Sequence, residues 1–274
     1  MQRRSQLYVP GNNEKMIAKS ATLDSDSVIL DLEDAVPPSE KLVARRLVCG
    51  MAGELDWGGK ELCVRVNPPG SREFRDDVAA MKKVRRIQTL LIPKAGGRMP
   101  QPVSSSGKAI IPIIETAAGF LALGEIAAGN GVVALTYGAA DYAASVGGSV
   151  SAYLRNGPIK TMIAAVARSR ALEAIDNVFF DLDDAAGFRA EAVEARALGF
   201  TGKQVIHPAQ IPVANEIFSP TEDELEWARK VTEEMRSAGA RKVGAIRVDG
   251  KLVDAVHYRM AKDILERGSA GTGA

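Results

Sequence analysis

Charged and polar side chains along this chain collect at the ends of short apolar runs. The run SVILDLE closes on Asp31 and Glu33, with Asp34 next; VRVN carries Arg65 and Asn67; LLIPK ends at Lys94. Glu115 directly follows PII, Asp141 follows a Gly-Ala-Ala turn, and two later runs end at Asp181 and His207. If Glu115 and Asp141 meet at one mouth they repel each other, so a cation must hold them or they must bond loop amides or pair with Lys94. The candidate donors are all oxygens, and no His or Cys cluster accompanies them, so a metal here would be Mg2+ or Mn2+ rather than Zn2+.

Arg65 ends an otherwise apolar strand. Its guanidinium can grip a carboxylate or carbonyl oxygen bidentately, or pair with Glu33 or Asp34. Lys94 could form a Schiff base if desolvated, but beside Gly96 and Gly97 an ordinary charged role fits better. Lys15 and Lys19 are four apart, hence on one helix face, just after Tyr8 and the Pro10-Gly11 turn. They would either meet the phosphates of a nucleotide-like handle, with Tyr8 as a stacking surface, or simply be solvated. His207, followed by Pro208, is a pocket-lining or a structural histidine.

Residues of these types need a scaffold that delivers strand ends to one place, and the chain's rhythm supplies one. Eight apolar runs start at Ser5, Ser27, Glu61, Thr89, Ala109, Val132, Asn177 and Lys203. Most are near-continuous Val, Ile and Leu, as strands covered on both faces require. Helical patterns separate them, over 14–23, 39–52, 74–84, 117–128, 158–172 and 185–198, whereas 96–107 is rich in Gly, Pro and Ser and carries little helix. The predicted fold is an α/β (β/α)8 TIM barrel over 1–218, whose active site belongs at the carboxy ends of the strands. Residues 219–274 read as a small helix-hairpin-helix appendage. A Thr221-x-x-Glu224 capping box opens a helix to about Ser237, an apolar run spans 243–248, Asp249-Gly250 makes a turn, and a helix covers 254–266. The last residues, GSAGTGA, read as a frayed tail.

Composition excludes several classes. The chain has 274 residues, 46% hydrophobic and 25% charged, and its 35 basic and 34 acidic residues leave a formal charge of +1. That is an ordinary folded domain with a sizeable core and no global field toward nucleic acid or membrane. Cys49 and Cys63 form no regular pattern, which suits a reducing compartment. The start MQRRSQLYVPGNNEK resembles neither a signal peptide nor an amphipathic presequence, and no run reaches the ~18 apolar residues of a membrane span, so a cytoplasmic location is expected. GxGxxG, GxxxxGK[ST], GxSxG and HExxH are all absent from the sequence.

Taken together, RSQLYVPGN, SVILDLEDAVPPSEKLVAR, VRVN, LLIPKA, PIIETAAG, TYGAADY, ALGFTGKQVIHPAQI, FSPTEDELEWA and DGKLVDA resemble the citrate lyase β-subunit-like (HpcH/HpaI aldolase) superfamily. The similarity runs in order from about Arg4 to Leu265 and is nearest to the citramalyl-CoA, malyl-CoA and citryl-CoA lyases. It implies a barrel, commonly a homotrimer, that makes or breaks a carbon–carbon bond beside a CoA thioester with Mg2+. Matched by position, Glu115 and Asp141 are the implied metal ligands and Arg65 the substrate arginine. Tyr8, Lys15, Lys19, Ile206 and His207 are the implied CoA or substrate contacts. Asp254 is the implied catalytic aspartate, carried on an appendage that reaches a neighbouring subunit's site; the residues alone read it as the N-cap of the last helix.

In the implied reaction a hydroxyacyl-CoA is cleaved to acetyl-CoA and a 2-oxo acid. After Asp141-Tyr142 relatives often carry a TP-containing loop, where this chain reads AASVGGSVSAYLRNGPIKTM, and many have proline where it has Val256. Both departures bear on substrate identity and leave the metal residues intact. Two other activities fit the resemblance. One is a citrate lyase β subunit acting within a complex, beside an α subunit, on an acyl-carrier-protein thioester. The other is a metal-dependent aldolase for free 2-oxo acids.

Overall fold

The computed structural model describes residues 2–240 and 244–270. Eight parallel strands, β1 (Ser5–Pro10), β2 (Ser27–Asp31), β3 (Glu61–Arg65), β4 (Thr89–Ile92), β5 (Ala109–Ile114), β6 (Ala134–Tyr137), β7 (Glu173–Asp176) and β8 (Gly202–Val205), close in sequence order into a barrel. The connecting helices are α1 (Glu14–Ala21), α2 (Lys41–Glu54), α3 (Phe74–Lys83), α4 (Gln101–Ser104), α5 (Ala117–Leu121), α6 (Leu123–Ala127), α7 (Ala139–Val146), α8 (Val150–Leu154), α9 (Gly157–Ser169), α10 (Ala185–Ala197) and α11 (Gln210–Phe218).

Local chemistry starts several of these helices. Asn13, Asn156 and Asp184 accept backbone N–H groups of Met16, Ile159 and Gly187, capping α1, α9 and α10. Alternation along the strands sends Ile29, Cys63, Leu91, Ile111, Ile113, Ala134 and Ile175 into the barrel interior. The opposite strand faces, such as Leu30, Val64, Leu90 and Leu135, are buried as well, which is why the runs read as continuously apolar. At the amino ends of the strands Arg3 clasps Glu61 at 2.7 and 2.8 Å and pairs with Glu173, while Ser27 and Thr89 also donate to Glu61.

The seventh strand corrects the sequence reading. It is EAID at 173–176, not the run from Asn177, and Asp181 is an exposed loop residue whose Oδ1 accepts the Asp183 N–H. The true strand looked too polar because its acids are neutralised inside the fold. Asp176 lies 2.6 Å from Lys203 and 2.8 Å from Lys160, and Lys203 also reaches Glu191 at 2.6 Å. All four side chains are at most 2% exposed. Helices α7, α8 and α11 went unpredicted, and the helix expected over 117–128 is broken at Ala122 into α5 and α6.

The chain divides into two compact units, Arg3–Glu216 and a second formed from Ile217 onward together with Gln2. In the second, the Thr221–Glu224 box closes reciprocally at 2.7 and 3.2 Å and opens α12 (Glu222–Ala240). A hairpin of β9 (Ile246–Val248) and β10 (Lys251–Val253) turns at Asp249-Gly250, both with positive φ, as an Asp-Gly hairpin turn requires. Val243, expected in that strand, and 271–274 lie outside the described residues. Helix α13 (Ala255–Ala270) continues through Gly268, Ser269 and Ala270, part of the expected tail. Ala228, Val231, Val248, Val253 and Ala261 form this unit's own core. Among the described residues no helix is long and apolar enough to cross a membrane.

Candidate active site

At the carboxy ends of the barrel strands lies a cavity of about 450 Å3, lined by Tyr8, Asp31, Arg65, Glu115, Asp141 and Ile206 among others. Arg65 organises one wall. Its Nε and one terminal nitrogen donate to the two oxygens of Asp31, each at 2.7 Å, and its other terminal nitrogen lies 3.0 Å from Glu33 and 3.6 Å from Asp34. The guanidinium also stacks over the Tyr8 ring, 5.0 Å from its centroid. Tyr8 therefore supports Arg65 rather than offering a free stacking face. Arg65 is thus paired with the rim acids, the second of its two readings, and it also lines the cavity.

The opposite wall is short of positive charge. Glu115 is 3% exposed, and its Oε1 accepts the Lys94 N–H at 2.6 Å. Lys94 makes that contact from a left-handed backbone, φ 51°, a strained conformation of the kind that gathers at working sites. Its ammonium lies 3.4 Å from Glu33 and 3.9 Å from Asp141, so one half-exposed lysine serves three carboxylates. Burial, then the neighbouring Glu33 charge, pushes the Glu115 carboxyl up to about 8. Burial likewise raises Glu33 to about 7 against the pull of Arg65. Both oxygens of Glu33 lack a hydrogen bond of good geometry among the described residues. Gly138 makes the close approach possible: a Cβ there would lie 2.5 Å from both Cβ and Oε2 of Glu115.

These observations fit a hard divalent cation. Two buried or half-buried carboxylates converge, one is driven toward protonation, and oxygen donors predominate. Among the described residues no group of three or more His, Cys, Asp or Glu side chains is arranged to hold a metal. Glu115 and Asp141 are the two carboxylates that could hold such a cation.

The other expected residues are spread more widely. Ile206 lines the cavity, and its N–H donates to Gln210 Oε1 at 2.9 Å. His207 is exposed and its Nδ1 accepts the Ala209 N–H, a turn-stabilising role. Lys15 and Lys19 are exposed on α1, and between them it is Met16 that lines the cavity. Asp254 belongs to the second unit, where it caps α13: its Oδ1 accepts the Val256 N–H at 2.9 Å and lies 2.8 Å from His257 Nδ1. The His257 hydrogen bond, with these backbone bonds, holds its carboxyl below the usual carboxylate range. Sequence reasoning placed Asp31 on the rim without a role and offered Glu33 as a partner of Arg65, and it missed Gly138, Gln204 and Asn177, which also line the cavity.

A closed parallel barrel with a charged cavity at the carboxy ends of its strands is the framework of a barrel enzyme acting on a small polar substrate. The chain belongs to the HpcH/HpaI aldolase/citrate lyase family, whose model matches residues 4–100 and 103–208. It is 32% identical over 298 residues to the L-malyl-CoA/β-methylmalyl-CoA lyase of Rhodobacter capsulatus, covering 96% of this chain and 94% of that one. To the mitochondrial citramalyl-CoA lyase of Homo sapiens it is 32% identical, covering 95% and 84%. To a (3S)-malyl-CoA thioesterase of Cereibacter sphaeroides it is 34% identical, covering 97% and 95%. The structure of CitE from Mycobacterium tuberculosis in complex with magnesium, acetoacetate and coenzyme A superposes with a TM-score of 0.81 at 32% identity, covering 97% of each chain. The chain is an enzyme of the lyase class.

Proposed function

We propose that this enzyme reversibly cleaves a hydroxyacyl-CoA of the malyl-, citramalyl- or citryl-CoA type into acetyl-CoA and a 2-oxo acid, dependent on Mg2+. The observation that carries the reading is the convergence of Arg65, Glu115 and Asp141 on one cavity in a chain with malyl- and citramalyl-CoA lyase relatives.

Glu115 and Asp141 would hold the Mg2+, and Mn2+ suits the same oxygens. Bound there, the cation supplies Lewis acidity that lowers the pKa of the substrate hydroxyl. Arg65, locked along one edge by Asp31, offsets negative charge that develops on the substrate during cleavage. Such a preorganised donor contributes roughly 3 to 4 kcal/mol. Asp254, ionised at rest, would take up the proton that the substrate hydroxyl loses and deliver it to the enolate carbon of the departing acetyl-CoA, and would remove that proton in the synthetic direction. It acts from a neighbouring subunit of a homotrimer, the appendage serving as a lid. Lys15, Lys19 and His207 meet the CoA portion, with Ile206 at the acyl end and Tyr8 steadying Arg65. The expected location is the cytoplasm.

The test is acetyl-CoA release from malyl-, citramalyl- and citryl-CoA, with and without chelator. Chelator-sensitive turnover of one thioester, abolished by Asp254→Asn, is the expected result; near-normal cleavage by that variant overturns the mechanism. The thioesterase relative favours a second reading, hydrolysis of the same thioesters. Free CoA is followed in the same assay, and its release without acetyl-CoA selects hydrolysis.

A further inference from the structure

Asp254 has two carboxylate oxygens, and the fold engages only one of them. Oδ1 accepts the Val256 N–H at 2.9 Å and the His257 N–H at 3.4 Å, and it lies 2.8 Å from His257 Nδ1. Among the described residues nothing donates to Oδ2. The side chain is 45% exposed, so Oδ2 stays open to a reacting group while Oδ1 is held at the start of α13.

His257 stands at the third position of that helix, from which a side chain reaches back to the capping residue. Two groups of Asp254 lie near its Nδ1, the backbone N–H at 3.3 Å and Oδ1 at 2.8 Å. The first needs Nδ1 without a hydrogen, the second needs Nδ1 with one. A bare Nδ1 would set its lone pair against a carboxylate oxygen, whereas a protonated one makes the shorter, charge-assisted bond. Nδ1 therefore carries the hydrogen and donates it to Oδ1. A role confined to helix capping would take the opposite form, with Nδ1 accepting the Asp254 N–H as the glutamate of a capping box does.

We infer that His257 is a positioning residue that clamps Oδ1 of Asp254 and leaves Oδ2 as the oxygen that carries the proton. In cleavage Oδ2 takes the hydroxyl proton while the hydroxyl oxygen's electrons close the carbonyl of the 2-oxo acid. The pair from the broken carbon–carbon bond passes to the enolate of acetyl-CoA, and the proton then moves from Oδ2 to the enolate carbon. The carboxylate ends ionised, as it began, and no further reactant is consumed. The donor on Oδ1 favours the ionised carboxyl that accepts the first proton, and it fixes the rotation of the group so that Oδ2 faces outward. The inference rests on reading Asp254 as the proton carrier of the lyase.

Kinetics and ring NMR test it together on the full chain. His257→Ala is expected to lower kcat for thioester cleavage by at least ~10-fold, part of the ~10² to 10⁴ that a positioned proton carrier supplies, with KM held within about 2-fold. His257→Asn keeps a neutral N–H donor near Oδ1 and is expected to recover most of the loss. Should His257→Ala fail to fold, His257→Glu keeps the capping bond to the Asp254 N–H but removes the donor, so it should fold and show the same fall in kcat. The chain has only two histidines, so the His257 ring is identified by the 15N signals that His257→Asn removes. At about pH 8, above the ordinary imidazole range, the native ring should carry its hydrogen on Nδ1, and Asp254→Ala should return it to Nε2. Normal kcat in His257→Ala or His257→Glu, or a native ring protonated on Nε2, overturns the inference. Asp254→Asn keeps the two failures apart: normal cleavage by it sinks the lyase mechanism, whereas its inactivity beside a normal His257→Ala sinks the clamp alone. If the native enzyme cleaves no thioester, the lyase reading falls and the ring hydrogen by itself decides the clamp.

Discussion

Arg65 and Asp31 lie opposite each other on adjacent strands β3 and β2, joined by two parallel hydrogen bonds of 2.7 Å. Asp31 is 1% exposed and Glu33 only 3%, so the guanidinium is the charge that makes burial of both acids tolerable. Arg65→Met should cost roughly 3 to 5 kcal/mol of stability, the cost of leaving buried charge unpaired. Arg65→Lys should fold, lose the bidentate clamp and cut cleavage by ~10² to 10³, the loss expected for one preorganised donor. Urea denaturation and steady-state kinetics check the two variants, with Mg2+ affinity expected to hold within a few-fold.

The two raised carboxyls set a pH dependence. Glu33 at about 7 and Glu115 at about 8 both lie above their ordinary 4.5. Between 4.5 and about 8 the folded protein then binds more protons than the unfolded chain, so the stability contributed by these groups is lost as pH rises through that window. Denaturation in chelator should show falling stability from about pH 5 to about pH 8.5, and excess Mg2+ should reverse much of the loss at the alkaline end. Mg2+ binding near neutrality should also release protons, seen as a heat that varies with buffer ionisation enthalpy.

Gly138 should be a metal-affinity determinant without being a ligand. A methyl there meets Glu115 at 2.5 Å and must push its carboxylate aside. Gly138→Ala is expected to weaken Mg2+ binding by at least ~10-fold, the loss typical when support behind a metal ligand is disturbed. Gly53→Ala, in α2 with open space around its Cβ, is the control and should stabilise the protein by about 0.5 to 1 kcal/mol. Calorimetric titration and melting curves of both variants decide it.

Behind β7 and β8, Lys203 neutralises Asp176 and Glu191 in a site with no access to water. Lys203→Met should destabilise by roughly 3 to 5 kcal/mol, because two buried acids lose their nearest cation. Lys160, 2.8 Å from Asp176, should not compensate, since it lies 3.9 Å from Glu191. A midpoint shift in guanidinium well below this range would contradict the assignment.

The barrel was legible because its period survives in one dimension. Strands buried on both faces must read as continuous Val, Ile and Leu, and the Thr221-x-x-Glu224 box announces a helix start by its own side-chain bonding. The failure at β7 has the converse cause. Glu173 and Asp176 are strand residues only because Arg3, Lys160 and Lys203, distant in sequence, neutralise them inside the fold.

At the site the division is the same. Residue type and position at the ends of apolar runs were enough to place Arg65, Glu115 and Asp141 at the mouth, because a parallel barrel sends every strand end there. Only the tertiary structure decided that Asp31 holds Arg65 and that Lys94 is shared among Glu33, Asp141 and the approach to Glu115. It alone set Gln6 of β1 opposite Gln204 of β8. These pairings join strand ends far apart along the chain, so their distances are set by closure of the barrel and burial of its interior, which no local pattern of residues encodes.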